Sequence, residues 1–508
     1  MKDIKVKNPI TAQDYPDADV IRVEDTYYMI STTMHFMPGG VILRSYDLAN
    51  WEIAGYVYDT LDDTPAQMLT GDENIYGKGM WAASIRYHKG TFYVCFVAND
   101  TQKTYLYTAN DVAGPWKKSI IEGFYHDCSL LFDDDDRVYI VYGNRTVYLT
   151  ELNSELTGPK EGGLHRIIVK DSDETALGYE GAHLYKINGK YYVFFIHSLV
   201  GRWYRTEACF MSDSLEGEFV GGDVFEDDMG HRNAGIAQGG IVDTPDGDYY
   251  AILFQDRGAV GRIPVLIPMT WENDMPVIGK DKKLVGDVLV KSLRPGYEYE
   301  PLYISDDFSY EPDAEGKITL KKQWQWNHNP KNDLWSVTER KNALRLHLGK
   351  VCDELTKGYN TLTQRTTETV SEAEVTVDAS NINDGDYCGI SAFIGGYGAI
   401  AVTKEDDKYA LVMMKKNISR DSSELVMADK VYIDNPIVTL KCVTSYKDED
   451  IATFYYKKDG EWIMLGDEHK LFFRLDHFTG CRFGLFAYAT KQTGGYADFM
   501  NFVYKVIE

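Results

Sequence analysis

The chain has no apolar run of about 18 residues, the length that crosses a bilayer as a helix. Met1-Lys2-Asp3-Ile4-Lys5 opens it without the apolar core of a signal peptide. These two absences predict a soluble protein with no membrane partner. Cysteine is sparse: seven residues, at 95, 128, 209, 352, 388, 442 and 481, with no Cys-x-x-Cys pair. An odd count without paired spacing argues against a disulfide framework and for a reducing compartment, so the expected location is the cytoplasm. Basic residues are outnumbered, 53 Lys and Arg against 78 Asp and Glu, for a net charge of −25. A field of that sign repels nucleic acid and anionic membrane, which leaves small neutral ligands as the expected partners.

What is present in quantity is aromatic: 37 Tyr, 21 Phe and 9 Trp. Aromatics suit β-sheet and also suit stacking on sugar rings. At 508 residues the chain exceeds one core, so two domains are expected. The stretch that organises the first is Gly178-Tyr179-Glu180-Gly181-Ala182-His183-Leu184-Tyr185, which runs through Asn188-Gly189 into Tyr191-Tyr192-Val193-Phe194-Phe195. Asn-Gly between apolar, β-branched or aromatic runs is the strongest short-range hairpin signal. The pattern recurs from Asp17, Trp81, Asp127 and Gln238, each time an apolar run, a turn and a second run. Strand-rich copies about 45–65 residues apart predict a β-propeller, here with five blades, usually of four strands each.

Three of the five copies carry an acid at or beside one slot: Asp17, Asp127 and Glu180. If the blades are equivalent, the three carboxyls converge at one mouth of the channel. Such a pair can hydrolyse a glycosidic bond, one carboxylic acid protonating the leaving oxygen while a second carboxylate activates water. A neighbouring carboxylate would keep the acid protonated near neutral pH, and Asp127 is placed to do this for Glu180. Candidate substrate contacts are Trp81, Met34, Phe36 and His126. Met34 and Phe36 lie in a loop after a strand, where they either fill gaps between blades or wall a pocket.

Asn8-Pro9-Ile10 with Tyr15-Pro16-Asp17, Gly79-Met80-Trp81-Ala82, Asp127-Cys128-Ser129-Leu130-Leu131-Phe132, Glu180-Gly181-Ala182-His183 and Gly261-Arg262 occur in this order. Together they resemble glycoside hydrolase family 43, five-bladed propeller enzymes that include β-xylosidases and α-L-arabinofuranosidases. The resemblance implies Asp17 as general base, Glu180 as general acid, Asp127 as the group that tunes and orients, and Arg262 as a sugar-hydroxyl ligand. The prolines usual in the family after these slots are replaced here by Ala18, Ala83, Cys128 and Ala182. Met34 stands where an aromatic is usual, and Ile236-Ala237-Gln238 lacks the His that helps to hold an axial calcium ion in relatives. No cofactor is expected for the chemistry, and a structural Ca2+ at the axis is left as an option.

Past Arg294-Pro295-Gly296-Tyr297 the blade pattern stops, so the domains are expected at 1–295 and 296–508. Runs such as 372–377, 409–414 and 482–488 predict short antiparallel strands, which together resemble the concanavalin-like β-sandwich of the xylosidase branch. That domain packs on the propeller in relatives and can lend a loop to the active-site rim; Trp324, Trp326 and His328 are candidates for it, with core or interdomain packing the favoured alternative. The fold expected is therefore all-β, a five-bladed propeller followed by a jelly-roll sandwich. The function expected is an inverting exo-glycosidase that releases α-L-arabinofuranose or β-D-xylose from oligosaccharides, with a slight lean to arabinofuranose. Alternatives are an enzyme that mainly trims β-1,4-xylosyl ends, a sugar-binding propeller without activity, and a protein-interaction propeller.

Overall fold

The computed structural model describes residues 3–419 and 422–507. Five four-stranded antiparallel sheets follow one another along the chain. Their innermost strands are Asp19–Val23, Ser84–His88, Ser129–Phe132, Glu180–Ile187 and Ile236–Asp243. Blade 4 continues through Lys190–Ser198, Arg205–Ser212 and Val220–Phe225, turned at Asn188-Gly189 as its sequence predicts. Facing blades interleave apolar side chains. Ile30 and Ile42 of blade 1 share a core with Ile85, Val94 and Phe96 of blade 2.

The ring is closed by the N-terminal segment. Ile4–Lys5 pairs with Leu289–Val290 beyond blade 5. The Asn8 side chain donates to the Leu266 carbonyl at 2.8 Å and accepts from the Leu266 N–H at 2.9 Å. That amide stands in for a missing strand partner at the seam.

One side-chain network at the axis ties all five blades together. Asp19 of blade 1 is fully buried and accepts from Arg86 Nη1 of blade 2 at 2.5 Å and from the Ile85 N–H at 2.8 Å. Arg86 Nε donates to the Leu130 carbonyl of blade 3 at 2.9 Å, and its Nη2 reaches the Leu184 carbonyl of blade 4 at 3.5 Å. The Tyr185 hydroxyl lies 3.4 Å from Asp19 and accepts the Ile241 N–H of blade 5 at 3.1 Å. Burial pushes the Asp19 carboxyl up, but Arg86 and His183 overcome it and hold the group at about 2.

Above this network the slot residues share a backbone device. Asp17, Asp127, Gly181 and Gln238 all have positive φ, at 54°, 48°, 63° and 58°. Pairing shifts register between Glu180 and His183 and between Ala237 and Gly239. Bulges of this kind re-aim side chains and are enriched beside active sites. Gly181 is required twice over, by its φ and because a Cβ there would lie 2.6 Å from the Gln238 side chain.

The second domain is a sandwich of two large antiparallel sheets. One contains Ser423–Ile433, Lys408–Ile418, Gly398–Glu405, Tyr387–Phe393, Arg482–Tyr488, Leu362–Arg365 and Gln325–Asn327. Its eighth strand, Phe36–Met37, comes from blade 1 and pairs with Trp326 and Asn327. The expected domain boundary at 295/296 falls in the connection between the last blade-5 strand, Met275–Ile278, and the sandwich. The strand exchange corrects the expectation for Phe36. Its ring is fully buried, with the Arg482 guanidinium 3.5 Å from its centroid and Phe393 beside it, so it belongs to the domain interface and has no surface for a sugar. No helix is long and apolar enough to cross a membrane among the described residues.

Candidate active site

Asp17, Asp127 and Glu180 come together at one mouth of the propeller, with Arg262 and His126 among them. Arg262 Nη1 donates to Asp17 Oδ1 at 2.8 Å, and both side chains are almost wholly buried. Burial pushes the Asp17 carboxyl up, while Arg262 and Thr32 oppose it, and the net displacement is upward. The Nε and Nη2 atoms of Arg262 are buried without a protein acceptor. An unsatisfied buried donor costs about 1–3 kcal/mol, so these two are suited to a substrate's hydroxyls.

His126 Nε2 sits 3.7 Å from Asp127 Oδ1 and 3.7 Å from Glu180 Oε2. Attraction to Asp127, opposed by burial and aided by Glu180, raises the imidazole to about 9. Burial raises Asp127 to about 7, with His126 opposing and with Glu180 and Asp17 adding to it. The charge of Glu180 thus contributes to the rise at Asp127. Asp127 Oδ2 also accepts the Gly181 N–H at 3.2 Å, and the Asp127 carbonyl accepts the Ala182 N–H at 3.2 Å, which fixes the backbone on either side of Gly181. Asn144 Nδ2 donates to Glu180 Oε2.

Trp81 stands at the same mouth, 5.8 Å from the His126 ring. Met34 is placed below it, bridged to Met80 and only 1 % exposed, which leaves almost none of its surface to a ligand. Of the two readings open for Trp324, Trp326 and His328, the rim and core or interdomain packing, the structure shows packing. Trp324 is buried and donates to Asp306 Oδ2 at 2.8 Å. Trp326 packs on Trp335, and His328 accepts the Ile75 N–H at 3.0 Å inside the domain interface. The segment that reaches the site is 471–480. Its Phe478 ring lies 4.4 Å from the Arg262 guanidinium and 5.5 Å from Trp81, and Phe473 lies 6.0 Å from the same guanidinium. Gly480 permits this approach, since a Cβ there would meet the Val260 carbonyl at 2.2 Å.

Sequence reasoning missed Asn144, Thr32, Asp14 and Phe478. Asn144 ends the blade-3 strand Val138–Asn144 and Phe478 lies in an irregular segment, so neither position carries a periodic signal.

Among the described residues, those that lie within ligand reach of one another are His126, Asp127 and Glu180. They fit a cation poorly, because His126 Nε2 already stands 3.7 Å from each carboxyl and Asn144 Nδ2 donates to Glu180. The axial Asp19 is no better donor, since its oxygens are engaged by Arg86, Ile85, Val20 and Tyr185. The slot that holds the metal-supporting His in relatives holds Gln238, whose N–H donates to Glu207 Oε2 at 2.7 Å.

Comparison with known proteins agrees with this geometry. Residues 6–276 match the sequence model of glycosyl hydrolases family 43, and residues 315–505 match the β-xylosidase C-terminal concanavalin A-like domain. A solved structure described as a bifunctional GH43-CE of Bacteroides eggerthii superposes with a TM-score of 0.92 at 40% identity, over the whole of this chain and 64% of that longer one. A β-xylosidase of Formosa agariphila is 29% identical over 98% of this chain and 90% of its own length. A non-reducing end α-L-arabinofuranosidase of Bacteroides ovatus, BoGH43B, is 29% identical over 67% of this chain and 64% of its own. With the propeller, the three converged carboxyls and the sandwich in place, the chain belongs to glycosyl hydrolases family 43.

Proposed function

We propose that the protein is an inverting, exo-acting glycosidase that releases terminal or side-chain pentose, α-L-arabinofuranose or β-D-xylose, from xylan- and arabinoxylan-derived oligosaccharides. The observation that carries this is the division of labour among the acids. Asp17 is hydrogen-bonded to Arg262 at 2.8 Å, Glu180 to Asn144, and the charges of both reach Asp127 between their blades. Asp17 and Glu180 come from blades 1 and 4, which suits two carboxyls separated by a sugar and a water.

In the proposed reaction Glu180 donates its proton to the glycosidic oxygen as the C–O bond lengthens. Asp17 takes a proton from the water that attacks C1 from the opposite face. Arg262 both favours the ionised form of Asp17 and offers its free donors to the pentose hydroxyls. Trp81 and Phe478 flank the ring and exclude water. Asp127 and His126 hold the field around Glu180. Each proton transfer has a carboxyl to perform it, so the steps need no metal. A lectin has no need of such an acid and base pair, which disfavours the binding-only alternative.

The dual substrate reading is supported by the names of the relatives, which include both activities. A location in the reducing cytoplasm is part of the same proposal and is supported by seven unpaired cysteines. The test is kcat/KM on aryl α-L-arabinofuranoside and aryl β-D-xylopyranoside, with the first-formed anomer read by NMR. A ratio beyond tenfold, about 1.4 kcal/mol, assigns the preference. A first product with the substrate's own anomeric configuration would remove the inverting assignment and the role of Asp17 together. Should xyloside win, the enzyme is an end-trimming xylosidase.

A further inference from the structure

Of the nine tryptophans, Trp203 alone is exposed, at 57 %, while the others are buried or half-buried in packing. It sits on the tight loop between the second and third strands of blade 4. That loop is closed by the Leu199 N–H to the Tyr204 carbonyl at 3.3 Å and by the Arg202 N–H to the Leu199 carbonyl at 3.3 Å. Tyr204 is buried beneath the Arg202 guanidinium, 4.0 Å from its ring, so the loop is anchored while the Trp203 ring faces solvent.

The loop is on the active-site side. Glu180 pairs with Ile196 and Ile196 with Glu207, which places Glu207 level with the acid, two strands across. At the usual spacing that is about 10 Å, and Arg205 is about 7 Å nearer the mouth. The Arg205 guanidinium is clamped by Asp256 Oδ2 at 2.8 Å. It lies 5.8 Å from the Trp203 ring and 5.1 Å from Phe254, and Arg262 lies 5.3 Å from the same Phe254. Its charge is felt at Asp17. A continuous wall thus rises from the base, through Arg262, Phe254 and Arg205, to an open indole at the rim of the blade that carries Glu180.

We propose that Trp203, held by Arg205, is the platform for the leaving-group sugar, the pyranose whose glycosidic oxygen Glu180 protonates as the C–O bond breaks. The chemistry fits. A pyranose offers one face of C–H groups that packs on an indole, and its hydroxyls accept from a fixed guanidinium. An exposed aromatic held in one orientation loses little entropy when a ring stacks on it. The site would therefore set which oligosaccharides are cleaved rather than which pentose is released. This rests on the hydrolase reading above.

The experiment compares two substrates that share the pentose and differ in what leaves: a short xylan-type oligosaccharide and the matching glycosyl fluoride, whose leaving group has no ring. In Trp203→Ala the ratio of kcat/KM for oligosaccharide over fluoride should fall at least tenfold, and Trp203→Phe should restore most of it. A ratio unchanged from wild type, whether both substrates fall together or neither does, overturns the platform. If the wild-type enzyme turns over neither substrate, the hydrolase reading has failed and the platform falls with it.

Discussion

Asp14 holds Arg262 by its backbone: the Arg262 N–H donates to Asp14 Oδ1 at 2.8 Å, while Asp14 Oδ2 accepts the Gly480 N–H at 2.8 Å. One buried carboxylate therefore sets the position of Arg262 and of the sandwich loop that covers it. Asp14→Ala leaves both N–H groups without acceptors. We expect a loss of roughly 2–6 kcal/mol in stability, at about 1–3 kcal/mol for each orphaned donor, and a fall of about tenfold or more in kcat/KM from misplacement at the site. Denaturant unfolding and steady-state kinetics on the same variant check both, and Asp14→Asn, which keeps one acceptor, should fall between.

Asp127 is placed for chemistry at the expense of stability. Its carboxyl titrates near 3.9 when unfolded and at about 7 in the fold. Between those values the folded state holds the extra proton, so this group's contribution to stability is present below about pH 4 and is lost as pH rises through about 7. Asp127→Asn removes the loss. We expect its Tm to exceed that of the wild type at pH 8, the gap closing as pH falls toward 4, while kcat drops by roughly a hundredfold or more. Thermal melts across pH settle it; a gap that widened at low pH would contradict the assignment.

Breaking the axial pair should be more harmful than removing it. Arg86→Met leaves Asp19 buried with its charge uncompensated, a situation that typically costs about 3–5 kcal/mol. Arg86→Met combined with Asp19→Asn should recover a large part of that loss. Urea midpoints of the two single variants and the double variant give the coupling directly.

Phe478 covers Arg262 without donating a hydrogen bond to it. Phe478→Ala should open the site to water and raise KM for the glycoside, with kcat/KM down by roughly ten- to a hundredfold and the Tm within a few degrees of wild type. Phe478→Leu keeps the bulk but not the π-face. Comparing the two separates exclusion of water from cation–π contact.

The five blades and the three acids were legible because their signals are local. Asn188-Gly189 is a turn whatever surrounds it, and the nearly continuous apolar run Thr91–Ala98 forms a strand buried along most of its length. The slot residues could be aligned by repeat position alone. What was not legible depends on distant partners. Asp14 and Gly480 are 466 residues apart. Phe36 and Met37 read as a loop and became a sandwich strand only because Gln325–Asn327 offered an open edge. Trp324 and Trp326 could be read either as rim or as core residues; the fold uses them for its core and sends Phe478 to the site.

With Arg86 and Asp19 filling its centre, the propeller has a single door. A glycan cannot be threaded through it, so each cleavage ends the encounter with the end that was cut. On the proposed exo action the released pentose is the deeper of the two products and leaves after the shortened chain has cleared the rim. Traffic in and out therefore shares one path, and free pentose competes directly with the next chain end for the mouth.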